Sequence, residues 1–95
     1  MKVIKNENVI LRDIHSVYFL INANEKYYEN NRSIVKVNDT GKLIWELLDK
    51  SSDFDEIVDL VMKIYEISTT DAEMVREDVK MFLSHLNEVR YVQYE

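Results

Sequence analysis

The chain has 95 residues, of which 46% are hydrophobic, 11% aromatic and 32% charged. That is too apolar for a disordered acidic tail and too interspersed with charge for a membrane protein. No cysteine is present, which excludes a disulfide framework, a thiolate zinc site and a cysteine nucleophile, and the net charge of -6 opposes general affinity for a phosphate backbone.

One glycine, Gly41, and no proline punctuate the chain, so boundaries are read from changes of period. The first residues, 1–8, lack the apolar stretch of a signal peptide, which points to a cytoplasmic protein. Val9, Ile10, Leu11 and Ile14 form a first β-rich run, and residues 17–21 (VYFLI) a second. A polar connection with four asparagines and Tyr27 and Tyr28 leads to a third run, Ser33, Ile34, Val35, Lys36 and Val37. These three runs, within about 9–37, predict a small antiparallel sheet.

From Asn38 the spacing becomes helical. Asn38 can cap a first helix over 39–49, built on Ile44, Leu47 and Leu48. Asp53, with Glu56 three residues on, opens a second over 53–66, whose apolar set runs from Phe54 to Tyr65. Ser68 or Thr70 starts the third and longest, over about 70–88, where Ala72, Val75, Val79, Phe82, Leu83 and Leu86 recur at steps of three and four. The last apolar residues, 91–94, read as a short strand or an extended tail. The layout is α+β in one domain over 1–95: a three-stranded antiparallel sheet followed by three helices, the outline of a winged helix-turn-helix.

Nothing in the inventory assembles a catalytic centre. His15 and His85 have no partner at metal-ligand spacing, no serine sits on a glycine-rich elbow, and the carboxylates fall where caps and solvated helix faces need them. No catalytic residue, metal site or cofactor is expected. Residues 1–42 carry seven basic and five acidic side chains (+2), against five basic and thirteen acidic (-8) in 43–95. A recognition helix for DNA would be rich in Arg and Lys, whereas the third helix carries Asp71, Glu73, Glu77, Asp78 and Glu88 against Arg76 and Lys80. A winged-helix DNA-binding regulator, with the basic amino-terminal half toward phosphate, is the alternative to protein recognition. Two features favour protein recognition: an edge strand at Ile34–Val37 able to accept an added peptide strand, and Met74 and Met81 flanking Asp78 outside the core stripe of the third helix. The same methionines equally fit a widened core contact.

The string Val37-Asn38-Asp39-Thr40-Gly41, followed by Ile44-Trp45-Glu46-Leu47-Leu48, then Asp53-Phe54-Asp55-Glu56-Ile57-Val58, Tyr65, and residues 78–86 (DVKMFLSHL), resembles the PqqD-like family over roughly residues 9–94. That family comprises the small proteins of pyrroloquinoline quinone biosynthesis and related recognition elements for ribosomally made, modified peptides. The resemblance implies a non-catalytic peptide chaperone. A precursor's leader region would add as a strand beside Ser33, Ile34, Val35, Lys36 and Val37 and press apolar side chains onto Met74, Val75, Asp78, Met81 and Phe82. It implies delivery to a maturation enzyme, a radical-SAM protein or a lasso-type leader protease, by a monomer or dimer with no nucleic-acid or membrane partner. Relatives place glycine after the first helix and before the last apolar pair. Here Asp49-Lys50 and Arg90 stand there, so the helix ends close on Asn87, Asp49 or another residue that tolerates left-handed backbone, or the helices run on. The long connection at 22–32 also differs from the quinone branch, which favours a relative serving another modified peptide.

Overall fold

The computed structural model of the protein describes residues 1–23 and 34–95. Five strands and three helices follow in the order β1 (Val3–Lys5), β2 (Val9–Ile14), β3 (Val17–Asn22), β4 (Ile34–Val37), α1 (Asp39–Leu47), α2 (Phe54–Ile64), α3 (Ala72–Glu88) and β5 (Val92–Tyr94). A 3-10 turn at Thr69–Asp71 leads into α3. The expected three-stranded antiparallel sheet is present in the order β2-β3-β4, followed by three helices. The sequence reading did not anticipate β1, which pairs antiparallel with β5 in a separate ribbon.

Local chemistry sets the element ends. The Asn38 side chain accepts the Gly41 N–H at 2.8 Å, and the Asp53 carboxylate accepts the Asp55 N–H at 3.1 Å. Of the two ends where relatives place glycine, α3 closes on left-handed Arg90 (φ 66°) rather than on Asn87, and α1 ends on right-handed Leu48 (φ -61°), with Asp49 not left-handed; Glu66 (φ 55°) closes α2 as Arg90 closes α3. After each, the chain folds back by the same pair of bonds, Glu66 N–H to Lys63 O and Ile67 N–H to Met62 O, then Arg90 N–H to Asn87 O and Tyr91 N–H to Leu86 O. Each motif delivers an apolar residue, Ile67 or Tyr91, back onto the core.

β2 and β3 are joined by a two-residue turn in which His15 (φ 53°) and Ser16 (φ 66°) are both left-handed. Such a turn matches the twist of the strands, and Asp13 steadies it by accepting the Ser16 N–H at 2.9 Å. The core lies between the inner face of this sheet and the helices. Leu20 is fully buried on the sheet side, and Ile44, Ile57, Val79, Leu83 and Leu86 close over it from all three helices.

The terminal ribbon is fastened on several sides. Lys2 and Glu95 exchange backbone bonds, and the Val3 N–H donates to Ser52 O at 2.7 Å. Lys5 reaches Asp49 at 2.9 Å and lies over the Trp45 ring at 4.4 Å. Val3, Tyr91 and Val92 are all buried.

Candidate functional site

β4 is an edge strand. Its Val37, Lys36, Val35 and Ile34 stand opposite Tyr18, Phe19, Leu20 and Ile21 of β3, and no described strand pairs with its other side. Which backbone groups face outward follows from the hairpin. A two-residue turn makes Ile14 and Val17 a hydrogen-bonded pair, so the odd-numbered residues of β3 direct their N–H and C=O toward β2. The next odd residue agrees, since Ala23 N–H donates to Asn8 O at 2.7 Å. Tyr18 and Leu20 therefore turn toward β4, where Val37 and Val35 answer them. Ile34 and Lys36 are left presenting N–H and C=O to the open edge.

The side chains of β4 alternate in the other plane. Val35 and Val37 lie on the inner face with the core, half-buried and buried respectively, whereas Ile34 and Lys36 are exposed on the outer face. Val37 runs straight into the Asn38 cap of α1, and at Gly41 three elements meet. A Cβ at Gly41 would stand 3.0 Å from the Phe82 ring of α3 and 3.2 Å from Val37 Cβ. The lone glycine thus lets α3 approach the junction of β4 and α1 closely.

Beside that junction a cavity of about 370 Å³ opens between the start of α1, the end of α2 and α3. Its floor is apolar, formed by Ile44, Val61, Val75 and Val79, all buried. Phe82 and Ile67 form half-buried walls, and Tyr65 (44% exposed) and Met74 (61%) stand at the rim. Thr40 Oγ1 and Tyr65 Oη lie 3.4 Å apart across the mouth. Asp78 is the one carboxylate of the lining, exposed and outside every ion pair among the described residues.

The structure therefore gathers Met74, Val75, Asp78 and Phe82 around one apolar recess, with Val37 beside it. Met81, 68% exposed, lies outside the lining, and Ser33 lies outside the described residues. Sequence reasoning assigned Tyr65, Ile67, Val61 and Thr40 no place at this site. Tyr65 and Val61 stand in the apolar stripe of α2, and only the meeting of three helices shows that its end faces a recess rather than a closed core.

The surroundings are electrostatically simple. Lys42 forms an ion pair with Glu46 at 3.3 Å and lies over the Tyr18 ring at 5.0 Å. The hydrogen bond to Glu46, reinforced by its charge, raises the Lys42 pKa above the ordinary 10.5. Arg76 holds α3 to α2 through Asp55 and lies over the Phe54 ring at 5.0 Å. No group of three or more acidic or histidine side chains among the described residues could hold a metal ion, and no described helix is long and apolar enough to cross a membrane.

The family model for coenzyme PQQ synthesis protein D (PqqD) matches residues 9–92. The chain belongs to the PqqD family. No curated protein matches it. A solved structure described as TbiB1 in complex with the TbiA(beta) leader peptide is similar at 21% identity with a TM-score of 0.70, over 97% of this chain and 96% of that one. At that identity the likeness is one of fold. The described residues of this PqqD-family chain do not support the DNA-binding alternative, because α3 exposes Glu73, Glu77, Asp78 and Glu88.

Proposed function

We propose that this PqqD-family chain is a non-catalytic recognition protein for a ribosomally made precursor peptide. It binds the leader region by strand addition at β4 and delivers it to a modifying enzyme. The observation that carries this reading is the pairing of an open edge, with the backbone groups of Ile34 and Lys36 turned outward, and an apolar recess against α3 at the end of the same strand. An added strand would hydrogen-bond to Ile34 and Lys36. Its alternate side chains would then project on the inner face, toward Val37, Phe82 and the recess.

The chemistry of the recess states what the leader should contain. Burying one Leu- or Phe-sized anchor over Val75, Val79 and Val61 contributes about 1.5–3 kcal/mol. Met74 at the rim adapts to the shape of that anchor. Asp78, with Glu77 beside it in sequence, favours a Lys or Arg near the anchor. The membership of the family and the leader peptide held by TbiB1 support the reading. A radical-SAM protein or a lasso-type leader protease is the proposed recipient, in the cytoplasm.

Isothermal titration with the leader of the cognate precursor is expected to give a dissociation constant of about a micromolar or tighter, and a scrambled leader none. Absence of heat with both peptides at every concentration would sink the proposal.

A further inference from the structure

The three-stranded sheet has a second face. Because side chains alternate along each strand, the residues out of phase with Leu20 point away from the helices. They form cross-strand rows. Ile10, Ile21 and Ile34 stand side by side in one row, and Arg12, Phe19 and Lys36 in the next. Ile14, 52% exposed, continues the apolar surface toward the hairpin. None of these side chains packs against the core, whereas their inner-face neighbours Leu11, Tyr18 and Val35 do. A solvated sheet face normally alternates to polar residues. Here it is isoleucine and phenylalanine edged by two cations.

The charges decide what fits. Arg12 and Lys36 are exposed and, among the described residues, make no ion pair and share this face with no carboxylate. Two copies of the chain meeting face to face would bring four cations together around the isoleucine rows. That arrangement is repulsive. An apolar surface edged with carboxylates would instead bury the isoleucines and pair both cations.

We infer that the outer face of the β2-β3-β4 sheet is the docking surface for a second, different protein whose contact patch is apolar at its centre and acidic at its rim. Resting on the function proposed above, that protein is the enzyme that modifies the captured peptide. Geometry links the two surfaces. A leader added at β4 extends the sheet by one strand and displays its outward side chains as a further column of the same face. The enzyme therefore meets a larger surface when the leader is bound, and its affinity rises with peptide. The recess and the outer face lie on opposite sides of the sheet, so peptide capture and enzyme docking do not compete.

The test uses the full chain, the precursor leader and the purified peptide-modifying enzyme encoded beside the chain's gene. Association is read by biolayer interferometry with and without leader. Arg12→Glu and Ile14→Glu alter exposed side chains remote from the recess. Each is expected to weaken enzyme binding by about tenfold or more while leader affinity stays within about twofold, and Arg12→Lys restores enzyme binding. Unchanged enzyme binding in the Arg12→Glu, Ile14→Glu double variant overturns the proposal. It is also overturned if the wild-type chain sediments as a dimer that the double variant abolishes, or if it pellets with phosphatidylglycerol vesicles and the double variant does not. Loss of leader binding in these variants would assign the face to the peptide itself. If the wild-type chain binds neither leader nor enzyme, the peptide-recognition reading fails along with this one; leader binding without enzyme binding sinks this inference alone.

Discussion

Two short β structures in this protein are built alike and used in opposite ways. In the terminal ribbon, three residues of β1 pair with three of β5, Val3 and Val92 are buried while Ile4 is exposed, and backbone bonds to Ser52 and between Lys2 and Glu95 fasten the strands on more than one side. At β4, four residues pair with β3, and no described strand pairs with the other side. An edge left open on a sheet is a liability that proteins blunt with charge or cover. β2, the opposite edge strand, carries Arg12 and Asp13, whereas β4 carries Lys36 alone. The ribbon closes the fold, and β4 keeps its backbone available.

The sharpest break in that comparison comes from placing proline at an exposed side chain in each structure. In the ribbon, Asn6 N–H donates to Tyr91 O and Lys2 exchanges bonds with Glu95, which turns the Gln93 N–H toward Ile4 of β1. Gln93→Pro removes that donor and leaves an acceptor unpaired. A loss of about 2–3 kcal/mol of stability is expected in urea unfolding. Lys36→Pro removes an N–H that faces the open edge, so stability should change by less than about 1 kcal/mol. Leader affinity by titration should fall at least about tenfold, equivalent to ~1.4 kcal/mol. If instead Lys36→Pro unfolds the chain and Gln93→Pro does not, the assignment of inward and outward backbone groups is wrong.

Asp78→Lys probes the acid at the recess. It is expected to weaken a leader bearing Lys or Arg by about 1 kcal/mol, mostly through the association rate and more strongly at low salt, without moving the unfolding midpoint. A smaller gain is expected at the hairpin. Replacing His15 and Ser16 with Asn and Gly puts the two residues that best tolerate left-handed backbone into the turn and should add about 0.5–1 kcal/mol of stability, leaving leader binding unchanged. The smallest effect concerns Lys42. Its pKa is raised in the folded state by Glu46, so the stabilisation is fully present below about pH 10.5 and is lost as pH rises through the higher folded value. Glu46→Gln should flatten that alkaline decline in a pH series of thermal melts.

Much of the fold was legible because its signals are local. Asn38 and Asp53 announce helix starts through side-chain oxygens placed to accept the first free N–H groups, and both do so. The steps of three and four along α3 mark its core side, where Val75, Val79, Leu83 and Leu86 are buried. The β1 strand was not legible. Three residues give no readable period, and their partner lies at the far end of the chain. The left-handed residues Glu66 and Arg90 likewise carry no glycine signal. They hold that backbone because the bonds around them and the burial of Ile67 and Tyr91 outweigh a modest local cost.

The sequence by itself determined the α+β layout, the helix starts, the acidity of the helical half and the β-rich segment of β4, because each depends on side chains within a few residues of one another. Tertiary structure decided the rest. It selected which backbone groups of β4 point outward, through a register inherited from the His15-Ser16 turn two strands away. It brought the start of α1 and the end of α2 against α3 to make a recess whose floor is built from core residues. It also left one sheet face apolar and cationic, because the helices cover only the other, and side-chain alternation alone does not say which face that is.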